Sequence, residues 1–204
     1  EKLLMQLLLS VFLVFTVLKF FNLETSLLIP GFGYKLPLSV LYIPVIIFVI
    51  LGTTNAVNLT DGLDGLATGV TFFVACFYIV VTWQQEMIGA CIFSAALAGS
   101  CLGFFLFNKY PAKVFMGDTG SLALGGAIVT LAIITKTELF LPIIGLIYVS
   151  ETLSVMIQVI SFKYRKKRVF LMTPIHHHFE LKGWSEKKIV LVFWAITIIC
   201  VLMG

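Results

Sequence analysis

Three short stretches hold the residues best suited to acid, metal or phosphate chemistry. The chain has three Asp (Asp61, Asp64, Asp118) and three His (His176, His177, His178), and all six fall within them. A protein using acids only to solvate its loops would scatter them. The first stretch is Asn55-Ala-Val-Asn58-Leu-Thr-Asp61-Gly-Leu-Asp64-Gly. Asn55, Asn58, Asp61 and Asp64 recur every third residue, which on a helix keeps neighbours adjacent and sweeps them around about half the cylinder. Gly62 and Gly65 remove side chains beside the acids, so a ligand or another backbone can approach closely. A Ca2+ EF-hand is excluded, because its acids alternate along a longer loop. The plainer alternative is a solvated helix end with capping Asn and Asp.

The second stretch, Asn108-Lys-Tyr-Pro-Ala-Lys113-Val-Phe115-Met-Gly-Asp118-Thr-Gly-Ser121, runs into a Gly-rich apolar segment. Thr119 or Ser121 can cap the helix that follows. A helix start favours anions through its free N–H groups and dipole. A phosphate there would be repelled by Asp118 unless a hard cation intervened. Mg2+ resolves that conflict, since it accepts one or two carboxylates together with phosphate oxygens. Lys113 adds positive charge, and Phe115 offers a flat face for a base or sugar. The plainer alternative is a capped turn with a satisfied Asp.

In the third stretch, Thr173-Pro-Ile-His176-His177-His178-Phe-Glu180-Leu-Lys182-Gly-Trp184, three adjacent histidines stand together. Neighbours on a helix point about 100° apart, so the three cannot ligate one ion from a regular helix. Zinc is disfavoured, the more so without nearby cysteines. Imidazoles facing a diphosphate are the better functional use, and an interfacial polar cluster is the plainer one. Glu151 and Gln158 interrupt the apolar stretch just upstream and must face protein or a polar cavity.

What must position these stretches is a set of membrane helices. Hydrophobic residues make up 60% of the 204 and charged residues 12%, and mean hydropathy is +1.07. No water-soluble surface can be built from that composition. Seven apolar segments are predicted, at 3–21, 36–51, 66–83, 88–107, 121–135, 139–162 and 189–203, with Pro44 and Pro142 as candidate kinks. None alternates as an outer-membrane barrel strand would. The expectation is an all-α, polytopic integral membrane bundle, residues 1–204 forming one domain. Cys76, Cys91, Cys101 and Cys200 lie in apolar stretches without ligand spacing and read as buried small hydrophobes.

Seven crossings place the N-terminal end and the loops 52–65, 108–120 and 163–188 on one side, and 22–35, 84–87 and 136–138 on the other. Lys and Arg divide eleven to three in favour of the first side. The positive-inside rule makes that side cytoplasmic. The net charge of +4 sits in loops rather than on a soluble face, so it speaks for a bilayer and not for nucleic acid. The run Lys163, Arg165, Lys166, Lys167 and Arg168 suits topology and lipid headgroups.

Asn-Leu-Thr-Asp-Gly-Leu-Asp-Gly (58–65), Phe-Met-Gly-Asp-Thr-Gly-Ser (115–121) and Pro-Ile-His-His-His-Phe-Glu (174–180), in this order, resemble the phospho-N-acetylmuramoyl-pentapeptide transferase family. That family belongs to the polyprenyl-phosphate N-acetylhexosamine-1-phosphate transferases. The resemblance covers essentially the whole chain and implies a Mg2+-dependent reaction in the bacterial plasma membrane. UDP-MurNAc-pentapeptide and undecaprenyl phosphate would give lipid I and UMP. By motif position it implies Asp118 as a Mg2+ ligand, Asp61 and Asp64 lining the catalytic and uridine region, and Asn108 and Phe115 on the nucleoside. His176, His177 and His178 would face the diphosphate or muramoyl side; Asn55, Asn58 and Lys113 complete the expected substrate contacts. It also implies a homodimer and a ten-helix fold whose last seven helices these would be. The family's upstream Asp-Asp-x-x-Lys motif has no counterpart in residues 1–204, so a missing N-terminal third is expected. Two alternatives stand: a sister enzyme transferring GlcNAc-1-phosphate, and a secondary transporter with acids in broken helices. The His-His-His-Phe-Glu sequence argues against the first. Acids at helix ends, rather than near the membrane midplane between repeats, argue against the second.

Overall fold

A computed structural model describes residues 2–21 and 23–204. Glu1 and Asn22, the latter opening the expected 22–35 loop, lie outside the described residues. Each of the seven apolar segments contains a helix. In chain order these are α1 (Lys2–Phe21), α2 (Tyr42–Thr60), α3 (Leu66–Gln84), α4 (Ile88–Asn108), α5 (Gly117–Ile134), the pair α6 (Leu141–Ile144) and α7 (Leu146–Arg165), the short α8 (Ile175–Leu181), and α9 (Glu186–Met203).

Six helices are long and apolar enough to cross a membrane among the described residues. The seventh expected crossing, α9, begins Glu186-Lys187-Lys188, leaving residues 189–203 as its apolar body. At about 1.5 Å per residue that body is roughly 22 Å long, short of a hydrocarbon core of about 30 Å. The expected 139–162 segment is also not one rod. It breaks at Gly145 into α6 and α7, with Pro142 in the first turn of α6. Pro44 does not kink α2, because the helix starts at Tyr42 and proline is tolerated in a first turn. Before it, the expected 22–35 loop holds a β-hairpin, β1 (Ser26–Leu28) antiparallel to β2 (Lys35–Pro37), and residues 36–41, expected as the start of the helix, instead end β2 and form a 3-10 turn, Ser39–Leu41.

The bundle is built around α3, whose Leu66, Val70, Val74 and Tyr78 are buried among α4, α9 and α5. α2 lies along α5 at close range: a Cβ on Gly125 would stand 2.7 Å from the Thr54 Cα. α1 and α4 turn large apolar side chains outward, Leu4, Leu8, Phe12 and Phe15 on one and Ile92, Leu102 and Leu106 on the other. Outward apolar faces are what a lipid solvent demands. All four cysteines are free.

The non-motif loops meet at one end. Lys136 donates to the Tyr42 hydroxyl (2.9 Å), to the Ser26 carbonyl (3.3 Å) and to the Glu24 carbonyl. Tyr42 donates to buried Glu138 (2.6 Å), and Gln85 donates to the Thr135 carbonyl (3.1 Å). This network ties the hairpin to the ends of α2, α3 and α5. It leaves the opposite end to the three motif stretches.

Candidate active site

The acid row of the first motif does not stay on a helix. α2 ends at Thr60, and Asp61-Gly-Leu-Asp64-Gly65 forms a tight turn into α3, because Gly65 takes a left-handed conformation (φ +76°) that L-residues resist. Asn55 and Asn58 remain on α2. Asp61 and Asp64 are therefore aimed by the turn, not by helical spacing, and they separate.

Asp61 turns toward the start of α5. Its carboxyl is pushed up to about 6 by burial, against the opposing effect of the nearby Gly117 amide, with the Asp118 charge adding to the rise. Asp118 sits in the first turn of α5, which is uncapped: neither Thr119 nor Ser121 caps it, since both lie inside the helix. Ser121 donates instead to the Gly117 carbonyl (2.9 Å) and accepts from Asn58 (2.8 Å). Asn58 also donates to Asp118 Oδ1 (3.0 Å). Lys2, from the first turn of α1, completes the cluster, with its Nζ 2.9 Å from Asp118 Oδ2 and 3.2 Å from Asn58 Oδ1. One helical turn along, Asn55 exchanges hydrogen bonds with Gln6. The site is thus α1, α2 and α5 converging, with two carboxylates, one ammonium and a bridging amide. Sequence reasoning counted Lys2 only toward topology; no spacing ties a residue of the first turn to acids 59 and 116 positions on.

Asp64 goes elsewhere. Its Oδ2 accepts from the Ala112 amide (2.8 Å), and its own amide donates to Glu186 at the start of α9 (2.7 Å). Asn108, expected at a nucleoside, is placed as an internal clamp. It is 3% exposed, its Oδ1 accepts from the Gly65 amide (3.2 Å) and the Thr68 hydroxyl (2.7 Å), and its Nδ2 donates to the Val114 carbonyl (3.0 Å). Asp64 and Asn108 together lock the 61–65 turn to the 109–116 loop. That loop presents Phe115 on the surface, 75% exposed, with Lys113 exposed nearby.

The three histidines are on α8 but do three different things, as 100° spacing requires. His176 is buried, with Nδ1 3.0 Å from Glu151 Oε1 on α7. His177 is half-buried, with Nδ1 2.6 Å from Glu180 Oε2. His178 accepts the Leu171 amide at Nδ1 (3.1 Å), so in the neutral ring its proton resides on Nε2. Gln158 holds the segment before α8 in place: its Oε1 accepts from the Val169 and Phe170 amides (2.9 and 3.0 Å), and its Nε2 donates to the Phe170 carbonyl (3.0 Å). The two polar residues inside α7 therefore both face protein.

The fold is that of a multi-pass helical membrane protein whose three aspartates and three histidines are gathered at one end of the bundle. The chain belongs to glycosyl transferase family 4, whose profile matches residues 1–136. Within that setting it is similar to proteins named phospho-N-acetylmuramoyl-pentapeptide-transferase. It is 52% identical over 199 residues to that of Heliobacterium modesticaldum, covering 98% of this chain and 62% of the relative. It is 52% identical over 204 residues to that of Anoxybacillus flavithermus and 48% identical over 204 residues to that of Bacillus subtilis, covering all of this chain and 63% of each relative. The chain thus spans less than two thirds of the length of these curated relatives. The histidine stretch lies beyond the family profile but within all three of these matches.

Proposed function

We propose that this chain carries the donor- and metal-binding part of a phospho-N-acetylmuramoyl-pentapeptide transferase acting at the cytoplasmic face of the plasma membrane. The observation that carries the reading is the meeting of Asp61 and Asp118 across the ends of α2 and α5, with Asn58 and Lys2 between and beside them.

The donor set suits Mg2+. Asp118 is largely exposed and Asp61 faces the same space, so two carboxylates are offered. Mg2+ takes one or two carboxylates and fills its remaining positions with phosphate oxygens and water. Among the described residues no group of three His, Cys, Asp or Glu could hold an ion, so substrate and water would have to supply its other ligands. When bound, the ion would neutralise diphosphate charge and polarise the phosphorus under attack.

The chain's own residues do the rest. The phosphate monoester of undecaprenyl phosphate is largely anionic near neutral pH, its second pKa being about 6, and needs no base. Its oxygen attacks the β-phosphorus of UDP-MurNAc-pentapeptide; the bond from that phosphorus to the bridging oxygen breaks, and UMP leaves with the electron pair. On this reading Lys2 and the free amides of the first turn of α5 would meet the phosphoryl oxygens as charge develops on them. Asn58 holds Asp118 in its rotamer. Phe115 offers the uracil an exposed face, and Lys113 adds positive charge beside it.

The test is UMP release from UDP-MurNAc-pentapeptide by the full-length protein with undecaprenyl phosphate and Mg2+, against UDP-GlcNAc as the competing donor. Asp118→Asn keeps size and hydrogen bonding but removes the charge, and turnover should fall about a hundredfold or more. Near-normal turnover of that variant at limiting Mg2+ would overturn the reading.

A further inference from the structure

The most enclosed ionisable pair near the site belongs to no step above. Glu151 lies in α7 with no exposed surface, and both its carboxylate oxygens lack a hydrogen-bond partner. His176 is 1% exposed, and its two ring nitrogens are likewise without aligned partners. The two face each other at 3.0 Å without an aligned hydrogen bond. A polar side chain taken out of water inside a bundle needs a polar partner, and one left alone is destabilising.

The other edge of the imidazole meets the acid-bearing turn. A Cβ on Gly62 would stand 2.3 Å from His176 Nε2 and 2.6 Å from Cε1, so only glycine lets the turn lie on this ring. Gly62 follows Asp61 directly. The same turn is held at Asp64 by Glu186 and at Gly65 by Asn108, but on the Asp61 side the surface it rests on is His176. An imidazole free to change rotamer would leave Gly62 unsupported and Asp61 held only by the Gly117 amide and by its own amide's hydrogen bond to the Asn58 carbonyl.

We propose that Glu151 is a positioning residue: from within the membrane-spanning α7 it fixes the His176 ring against Gly62, and the ring fixes the turn that aims Asp61 at the Asp118 cluster. On this view His176 does not touch substrate. The first of the three histidines is a strut, and any contact with the diphosphate falls to its neighbours. The kinetic part of this inference rests on the transferase reading; the structural part does not.

The experiment uses the full-length protein in nanodiscs with Glu151→Gln, Glu151→Ala, His176→Ala and the Glu151→Ala/His176→Ala pair. Amide hydrogen exchange across residues 61–66 should accelerate about tenfold or more in each single variant, with residues 135–140 at the far end unchanged. Because the two residues act as one unit, the double variant should be no worse than the worse single variant. Under the transferase assay, kcat should fall about tenfold and the Mg2+ concentration for half-maximal rate should rise, with KM for the UDP-sugar within about twofold. Glu151→Gln, which preserves size, keeps the test open should the alanine variants fold poorly. Unchanged exchange at 61–66, equal acceleration at both ends, or additive losses in the double variant would each overturn the proposal. A wild-type protein without transferase activity would refute the function while the exchange data still decided the strut.

Discussion

Asp61 shows how a residue's chemistry depends on what surrounds it. Burial raises its carboxyl to about 6, and the neighbouring Asp118 charge adds to the effect. A raised folded-state value means that the folded protein binds more protons than the unfolded chain between about pH 4 and pH 6. The stabilising effect of that proton is fully present below the unfolded value and is lost as pH rises through about 6. Metal-free protein should therefore melt at higher temperature at pH 5 than at pH 7. Asp61→Asn should flatten that part of the profile, and an unchanged profile in the variant would count against Asp61 as its source. Turnover at limiting Mg2+ should move the other way, falling as pH drops, because a proton competes with the cation for the carboxyl. Asp61 and Asp118 were each legible as candidates from their glycine-flanked motifs, but the sequence grouped Asp61 with Asp64, and only the fold sets it beside Asp118. Lys2 was not legible, since a lysine in a first helical turn carries no local signature.

At the scale of elements, the site depends on how closely α2 and α5 approach. Gly125 packs against the Thr54 backbone, where a Cβ would come within 2.7 Å of Cα and 3.2 Å of the Thr53 carbonyl. Backbone atoms cannot swing aside as a flexible side chain can, so Gly125→Ala must push the helices apart. The expected cost is about 1–3 kcal/mol, seen as a lower melting temperature. The same displacement should weaken the Asn58–Asp118–Ser121 junction one helical turn or two away, lowering turnover more than donor binding. Gly126→Ala is the control: nothing lies within 4 Å of its Cβ position, and it should melt near wild type. Apolar runs announced α1, α3, α4, α5 and α9 to within a few residues, but the run at 36–51 began before α2 (Tyr42–Thr60) and stopped short of its polar end. They did not announce the break at Gly145, the hairpin at 26–37 or α8, because each is fixed by tertiary partners rather than by its own periodicity.

For the whole molecule, all three motif stretches gather at one end of the bundle and the Lys136–Glu138–Tyr42 network closes the other. The eleven-to-three division of Lys and Arg predicts that the motif end faces the cytoplasm. Cysteines introduced into the 108–120 and 163–188 loops should be protected from impermeant thiol reagents added outside intact cells. One introduced between β1 and β2, at exposed Phe32, should be labelled. Labelling of the motif loops would reverse the topology and move the donor site to the wrong side of the membrane for a nucleotide substrate.

The sequence by itself determined that the protein lives in a membrane, because its composition leaves no way to make a wet surface. It also predicted that the three aspartates, the three histidines and most of the lysines and arginines share one side, because alternate loops fall on the same side. What it could not determine was the task of each polar residue, since that depends on which neighbour satisfies it. Only the folded chain separates Asp61, facing Asp118, from Asp64, spent on the Ala112 amide. Only the folded chain makes Asn108 an internal clamp and gives adjacent histidines three different partners. The physical reason is range. Burial from water is a property of whole segments and can be summed along a chain. A hydrogen bond is made between two atoms within about 3 Å of each other, and here the two often lie 40 to 122 residues apart.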